Sequence, residues 1–379
     1  MLPMPPTRRQ LISAASAALL LQGCKGQGSL VLDSDSGGTE TGDTGGDDCP
    51  DLVAGGKLLD LVPFQDGSLP LEERLESGLD GRYAIDLELL GVEANPLIDN
   101  ERFFIRTFAP QDVDAWPGLK VNGELTELPT AQDIGPVLME CSGNGSNRSF
   151  GLISAATWAG TPVLELIDAD YIEVEGMDEH GGSTSSSTQG CSWVFTRAQL
   201  QDAVLASQMN GAPLPTDHGA PIRLIVPGWF GCTCIKWVTA LKGVDAQTPA
   251  TSQMKEFASR THQSAAHALA ADYAPAQIQH AAMPVRVEKW EIEGESVYLV
   301  WGILWGGTSA TDALQIKLDE GWEDVTFCPA VNTSRTWTVW QHLWRPSGSG
   351  QVEIVLRVDA DVPQVRLDQR YYARSVVIS

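Results

Sequence analysis

Basic residues are scarce in this sequence, and no long basic run occurs. Its 379 residues include 25 Lys and Arg against 49 Asp and Glu, which gives a formal net charge of -24. Because phosphate binding needs a basic face, nucleic acid is excluded as a partner. Long apolar runs are missing too, since the apolar stretch at residues 11–23 falls short of the roughly 20 residues that a membrane-spanning helix needs. The sequence also lacks the Cys-x-x-Cys-His motif of haem attachment and the glycine fingerprint of flavin binding.

The N-terminus carries the features of a bacterial export signal. Arg8 and Arg9 precede the short apolar stretch, a pattern typical of the twin-arginine route, which carries proteins that fold before they cross the membrane. The stretch ends in Leu20-Leu-Gln-Gly-Cys24, which resembles a lipoprotein cleavage box. We expect residues 1–24 to be the signal and Cys24 to become a lipid anchor at the membrane; the alternative is a plain signal peptide. The protein is then periplasmic or at the cell surface.

An acidic linker follows at residues 25–51. From Gly28 onward it contains acidic residues, no Lys or Arg, and otherwise mostly Gly, Ser and Thr. Such a composition buries too little apolar surface to offset the entropy of ordering the chain. We interpret it as a self-repelling tether.

Residues 52–280 mix short apolar runs with turns, which predicts a mixed α/β domain. Residues 102–107 read as a buried strand, and Asn122-Gly123 predicts a hairpin turn. Helical spacing predicts short helices at 163–169 and 196–207, the second capped by Thr196. The Ala- and His-rich residues 261–279 are expected to form a polar surface connector, with His262, His267 and His280 in solvent.

Residues 281–379 change character. Short β-type runs recur without helical periodicity, at 285–291, 296–303, 313–318, 336–344, 351–358 and 374–378. Runs with this spacing predict an all-β immunoglobulin-like sandwich. The predicted fold class is therefore α+β, a mixed α/β domain followed by a β-sandwich.

Seven cysteines are present, at positions 24, 49, 141, 191, 232, 234 and 328. An odd count in an exported chain means that at least one has a role other than pairing. The C-x-C spacing of Cys232 and Cys234 has no second pair, so structural zinc is not expected. Cys141 ends an apolar run and precedes a Gly-rich turn, where backbone N–H groups favour a thiolate. From the residues alone it could be a nucleophile, a ligand for a soft metal, or a structural thiol.

Several ordered motifs resemble the sulfite oxidase family of molybdopterin-dependent oxidoreductases. Glu140-Cys-Ser-Gly-Asn144 and Thr157-Trp-Ala-Gly-Thr-Pro-Val163 are similar to the metal-binding signature of that family, and Phe103-Phe-Ile-Arg106 to its Arg-bearing strand. Glu175-Gly-Met-Asp178, Asn210 to Gly219 (NGAPLPTDHG), Ile222 to Trp229 (IRLIVPGW) and Ile235-Lys-Trp237 complete the series. The tail resembles the dimerisation sandwich of the family.

The resemblance implies a molybdenum–molybdopterin cofactor, with Cys141 as the thiolate ligand of the metal and Arg106 beside it in catalysis. The residues implied around the cofactor are Phe104, Ile105, Arg106, Thr107, Phe108, Asp178, His218, Arg223, Cys234, Ile235 and Lys236. The implied function is oxygen-atom transfer on a small sulfur compound, with electrons exchanged with an external carrier such as a cytochrome. A homodimer is also implied, with a monomer as the alternative.

The sequence departs from the family where the substrate should bind. Arginines are expected after the metal cysteine and near the Pro-Gly-Trp motif, but Gly145, Ser146 and Thr233 stand there, with Arg148 displaced. Removing those cations weakens the case for sulfite itself, so a sulfoxide reductase and a non-catalytic lipoprotein that keeps the fold remain alternatives. Cys191 and Cys232 are expected near this pocket. They could be thiols that support the residues in contact with the ligand, they could form a disulfide, or they could be small side chains that fill space.

Overall fold

A computed structural model describes residues 49–65, 71–90, 97–110, 112–145, 150–178, 190–319, 321–328, 335–359, 366 and 372–379. The export signal, Cys24, nearly all of the acidic linker, Ser146 and Arg148 lie outside these ranges. Residues 47–379 form one compact unit. Within the described part, no helix is both long enough and apolar enough to cross a bilayer.

The chain up to residue 244 is built from short strands. They are β1 (Lys57–Leu61), β2 (Arg74–Leu75), β3 (Arg82–Tyr83), β4 (Ile105–Arg106), β5 (Lys120–Val121), β6 (Glu124–Leu125), β7 (Gln132–Glu140), β8 (Ile153–Pro162), β9 (Tyr171–Gly176), β10 (Ser192–Thr196), β11 (Val204–Met209), β12 (Ala212–Pro213), β13 (Arg223–Ile225) and β14 (Val238–Val244). The C-terminal part continues with helix α1 (Ser252–Phe257) and strands β15 (Ala281–Ile292), β16 (Glu295–Trp305), β17 (Leu314–Lys317), β18 (Glu323–Asp324), β19 (Thr326–Cys328), β20 (Thr338–Trp344), β21 (Gly350–Val358) and β22 (Ala373–Ile378).

Three sheets belong to the part that carries the sequence motifs. Their strand orders are β10-β9-β14-β5-β6, β12-β11-β8-β7 with β13 paired to β11, and β2-β3-β4. The predicted hairpin at Asn122-Gly123 is confirmed, since β5 and β6 pair across it and both residues have positive φ. The long β7–β8 hairpin carries the Gly-rich turn after Cys141 at its end.

Two antiparallel sheets make up the C-terminal part, in the orders β1-β15-β16-β20-β19 and β18-β17-β21-β22. All six predicted β runs of the tail fall on these strands. β15 contacts β21 and β22 of the other sheet. β1 belongs to the first segment that the structure describes, yet it pairs with β15, and a disulfide joins Cys49 to Cys328 at the end of β19. The immunoglobulin-like sandwich and the domain boundary at 280/281 stay predictions.

The described residues are mostly β, with α1 as their single short α-helix, so the α+β description is not confirmed. At 163–169 only a 3-10 turn forms, Val163–Glu165. At 196–207 Thr196 caps a 3-10 turn, Arg197–Leu200, and the chain then enters β11. Strand pairing prevails there because β11 lies between β8 and β13, where Val204, Leu205 and Ala206 are buried from both faces.

The segment 261–279 is a surface connector only in part: residues 264–266 are exposed as its composition predicts, but its second half contributes to the core. Ala270, Tyr273, Ala276 and Ile278 are buried, and the N–H of Phe230 donates to the carbonyl of Ala276. His280 is only 2% exposed, so its predicted solvation is wrong. Its ring packs against Gly307, where a β-carbon would come within 2.0 Å of the ring.

Candidate active site

Cys141 follows the last residue of β7 and is 8% exposed. Its N–H donates to Leu152 O at 2.9 Å, which continues the β7–β8 pairing. The N–H of Gly143 donates to the Cys141 sulfur at 3.3 Å, and the N–H of Asn144 donates to its carbonyl. The side-chain carbonyl of Asn144 accepts from Leu152 N–H at 3.2 Å and closes the turn. The turn therefore fixes the thiol and aims a backbone donor at it.

A buried ion pair holds the residue before the thiol. Glu140 is 0% exposed, and its two carboxylate oxygens accept from Arg366 at 2.9 and 2.8 Å. The indole N–H of Trp305 donates to the same carboxylate at 2.9 Å, and the side-chain amide of Asn144 donates at 3.2 Å. The guanidinium of Arg366 also lies near the rings of Phe230 and Trp305. This ion pair joins the end of β7, strand β16 and the C-terminal segment beneath Cys141.

The thiol lines a cleft with a volume of about 100 Å³. The sequence-predicted residues Phe104, Ile105, Arg106, Thr107, Cys141, Asp178, His218, Arg223, Cys234, Ile235 and Lys236 all line it. Phe108 does not line it: its ring packs on Gly81 and lies 3.9 Å beneath the guanidinium of Arg74. The motifs thus converge on one cleft, although they come from segments far apart in the sequence.

Three basic side chains line the cleft, those of Arg223, Lys236 and His218. Arg223 is 6% exposed and donates to the carbonyls of Cys234 and His218, both at 3.1 Å, and to the Met139 sulfur. Lys236 donates to the carbonyls of Thr107 and Asp217. The acceptors of Arg223 are all neutral, so its positive charge remains available to a bound anion, whereas Lys236 also feels the carboxylates of Asp178 and Asp217.

The pKa values of this group reflect its burial. Burial, with the nearby Arg223, lowers the pKa of Lys236 to about 7. Burial and the neighbouring cations lower the pKa of His218 to about 4, although its ring nitrogen contacts the carbonyl of Asn100 at 2.8 Å. The carboxylates of Asp178 and Asp217 oppose this lowering of the Lys236 pKa, and a bound ligand that carries negative charge would favour the cationic form further.

A close approach of two chain segments brings these side chains together. His218 ends a 3-10 turn, and Gly219 follows with φ 114°. A β-carbon at Gly219 would lie 3.0 Å from the β-carbon of Lys236 and 3.1 Å from that of Arg223. Glycine is required here for both its conformation and its size.

Arg106 lies on the opposite side, on β4. It donates to the carbonyl of Leu79 and forms a 3.7 Å ion pair with Asp80. Thr107, which follows it, has φ 71°, a conformation that non-glycine residues adopt rarely. Burial raises the pKa of the Cys141 thiol, while Arg106, the Gly143 N–H and Arg260 act in the opposite direction.

The remaining cysteines of this region are free thiols. Cys191, Cys232 and Cys234 line the cleft without forming a disulfide. Burial and the nearby Asp178 raise the pKa of Cys191 to about 12, and burial also raises the pKa of Cys232. The structure therefore favours the interpretation of Cys191 and Cys232 as small neutral fillers.

Several cleft residues were not among the expected site residues, although one of them, Asp217, lies within the motif at 210–219. Asp217 lines the cleft; burial alone would raise its pKa, but donation from Ala109 N–H and Arg74 holds that pKa below its usual value. Gln253, Glu256 and Phe257 line the other wall from α1. The signal for α1 was present in Thr251, whose hydroxyl caps the helix by accepting from Met254 N–H.

Comparison with known proteins agrees with this geometry. Residues 122–252 match the family model of the oxidoreductase molybdopterin binding domain. Mitochondrial sulfite oxidase of Homo sapiens is 28% identical over 252 residues, which cover 58% of this chain and 45% of that protein. Nitrate reductase [NADH] 2 of Phaseolus vulgaris is 29% identical over 126 residues, which cover 27% of this chain and 14% of that protein. The chain thus matches less than half the length of these curated relatives.

The fold has a solved counterpart in the sulfane dehydrogenase SoxCD from Paracoccus pantotrophus, with a TM-score of 0.54 and 18% identity. That similarity covers 79% of this chain and 83% of the other. At this identity it supports the fold. The matched binding domain at residues 122–252 and the motifs that meet at Cys141 make the chain similar to the molybdopterin-dependent oxidoreductases of the sulfite oxidase family.

Proposed function

We propose that this protein is a molybdenum-cofactor-dependent oxidoreductase that performs oxygen-atom transfer on a small sulfur compound. One observation carries the proposal: the Cys141 thiol and the cations Arg223 and Lys236 line the same cleft. A thiolate is a ligand for a soft metal, and fixed cations bind phosphate. A metal-bearing anionic cofactor needs both.

The residues present fit such a group. His218, Arg223 and Lys236 would hold the phosphate and pterin of the cofactor. Arg223 and Lys236 now donate to neutral backbone carbonyls, and the ring of His218 contacts one carbonyl. Asp178, 7% exposed in the same cleft, would accept hydrogen bonds from the pterin. When bound, the cofactor supplies two-electron redox chemistry and the exchange of an oxygen atom.

The protein's own part is to prepare the thiolate and to exclude water. The Gly143 N–H stabilises negative charge on the sulfur, and the guanidinium of Arg106 adds a favourable field. The Glu140–Arg366 pair holds the strand end that positions the thiol. Burial of Cys141 limits access of water from below the cleft.

A sulfoxide reductase of the same family is a second candidate, and Thr233 favours it. Thr233 stands where an arginine is expected, is 0% exposed, and donates its hydroxyl to the Phe230 carbonyl at 2.8 Å. It offers no charge to a dianion. An uncharged sulfoxide needs less compensation on leaving water than sulfite does.

Location and partners are part of the proposal. Twin-arginine export, a lipid anchor at Cys24 and the acidic tether would hold the catalytic part near the membrane. The net charge of -24 suits a cationic electron carrier such as a cytochrome, and the C-terminal sheets could serve a homodimer.

The test compares molybdenum content and turnover in three proteins from a molybdenum-sufficient host. Wild type is expected to contain molybdenum in about one-to-one ratio, and Cys141→Ala to lose activity and most of the metal. Cys191→Ala is the matched control, since it also removes a buried free thiol from the cleft, and it should keep its molybdenum. Full activity in Cys141→Ala would refute the assignment of the thiolate.

Two assays on the wild type separate the candidate reactions. Sulfite-dependent reduction of a cytochrome supports the oxidase. Sulfoxide-dependent oxidation of a reduced dye supports the reductase. A metal-free wild type without either activity would support a fold-retaining, non-catalytic lipoprotein.

A further inference from the structure

The structure supplies a cation beside Cys141 that the motifs do not contain. Arg260 ends the 3-10 turn Ala258–Arg260, directly after α1. A β-carbon on Gly143 would lie 3.7 Å from the Cys141 sulfur and 3.8 Å from Nη1 of Arg260. The thiol and the guanidinium therefore flank one point above the Gly-rich turn, although Arg260 comes from a segment without any family motif.

Arg260 is placed by two contacts with α1, and among the described residues its only hydrogen bond uses Nη2. Its guanidinium lies 4.4 Å from the centre of the Phe257 ring, and Phe257 itself lines the cleft. Its ion pair with Glu256 is long, 3.5 Å, and uses Nη2. The side chain is 41% exposed, and it adjoins the cleft through Phe257 and the Gly143 turn without being one of the lining residues.

A surface ion pair is the simpler interpretation, but it explains little of this geometry. An i,i+4 pair of this kind is worth only about 0.3–0.5 kcal/mol, so it does not account for a guanidinium directed to the Cys141 turn. Glu256 is 15% exposed and lines the cleft, which places a carboxylate where it opposes anion binding. A charged substrate would replace that weak contact by a stronger one.

We propose that Arg260 is a substrate-binding residue that gives the cleft its affinity for a small sulfur oxoanion. It takes the place of the arginines that are missing at Gly145 and Thr233. This inference rests on the proposed function and deepens it, because it names an anionic substrate and so favours the oxidase over the sulfoxide reductase.

The test uses molybdenum-containing protein and inorganic sulfate as an unreactive oxoanion. Sulfate affinity is measured by titration calorimetry at constant ionic strength, and KM and kcat for sulfite and for a neutral sulfoxide are measured in parallel. Arg260→Gln is expected to weaken sulfate binding and raise the sulfite KM about tenfold, the loss of one charge-assisted hydrogen bond. The KM for the neutral sulfoxide should stay within about twofold, as should kcat for sulfite.

Three further variants sharpen the result. Arg260→Lys should recover part of the sulfate affinity, since it keeps the charge but loses the planar fork. Glu256→Gln should tighten sulfate binding, because it removes the opposing carboxylate. Arg197→Gln is the matched control: Arg197 is a similarly exposed arginine, 44%, in an ion pair with Asp168 outside the cleft, and its loss should leave sulfate affinity unchanged.

The outcomes separate this inference from the proposed function. A wild type that holds no molybdenum overturns the proposed function and the inference with it. A wild type that holds molybdenum but binds sulfate no better than Arg260→Gln overturns the role of Arg260 alone. An equal rise in KM for sulfite and for the neutral sulfoxide also overturns it, since charge recognition would then not be the cause.

Discussion

Replacing Arg366 with methionine is expected to destabilise the protein strongly, because it leaves a charged carboxylate alone in the core. Arg366 is 3% exposed and Glu140 is 0% exposed, and the two make a bidentate ion pair at 2.8–2.9 Å. Removing one partner of a buried pair costs about 3–5 kcal/mol, since the remaining charge keeps its desolvation penalty. For a protein of this size that is a fall in Tm on the order of 5–10 °C.

Glu140→Gln should cost a similar amount, because it leaves the guanidinium without a counter-charge. The double variant Glu140→Gln with Arg366→Met should regain at least about 2 kcal/mol relative to the sum of the single changes. The carbonyl oxygen of the glutamine can still accept from one of Trp305 and Asn144, which now donate to different oxygens of Glu140.

The assay is thermal and urea unfolding of the four proteins in a double-mutant cycle, with molybdenum content measured in each. Arg197→Gln serves as a control, since its ion pair with Asp168 is exposed and should contribute at most about 1 kcal/mol. The reasoning is refuted if either single core variant loses less than about 1 kcal/mol, or if the double variant loses the full sum of both.

Other predictions follow from individual groups. His218 has a pKa of about 4 in the fold and a higher pKa when the chain is unfolded. The cofactor-free protein should therefore lose on the order of 3 kcal/mol of its free energy of unfolding as the pH falls from about 6.5 to 4. In pH-dependent thermal melts, a His218→Gln variant should lack that slope. Peptide mapping without reductant should find Cys49 linked to Cys328 and Cys191 unpaired, and a Cys191–Cys232 link would contradict the structure. Reduction of the Cys49–Cys328 disulfide should lower the Tm of the protein. Cys24→Ser should release the protein from membranes, and unchanged partitioning in fractionation would rule out the anchor.

Much of the candidate site could be predicted because its residues sit in ordered motifs. Cys141, His218, Arg223 and Lys236 were each tied to a short pattern, and the structure brings all four to one cleft. The strands of the tail were also predictable, since alternating and β-branched runs between turns are a local signal.

Other features depend on long-range packing that local patterns do not carry. The run at 196–207 has helical spacing, but its second half enters β11, because neighbours on both sides supply strand pairing. His280 is buried by contact with Gly307. Arg260 reaches the Cys141 turn only through the placement of α1, and no motif marks it.

The measurement that tests the central claim most directly is X-ray absorption at the molybdenum edge of the purified protein and of Cys141→Ser. The account predicts that the wild-type metal has one more sulfur neighbour than the metal in the variant, because the Cys141 sulfur binds it. An equal number of sulfur neighbours in both proteins, with the metal retained, would contradict the account.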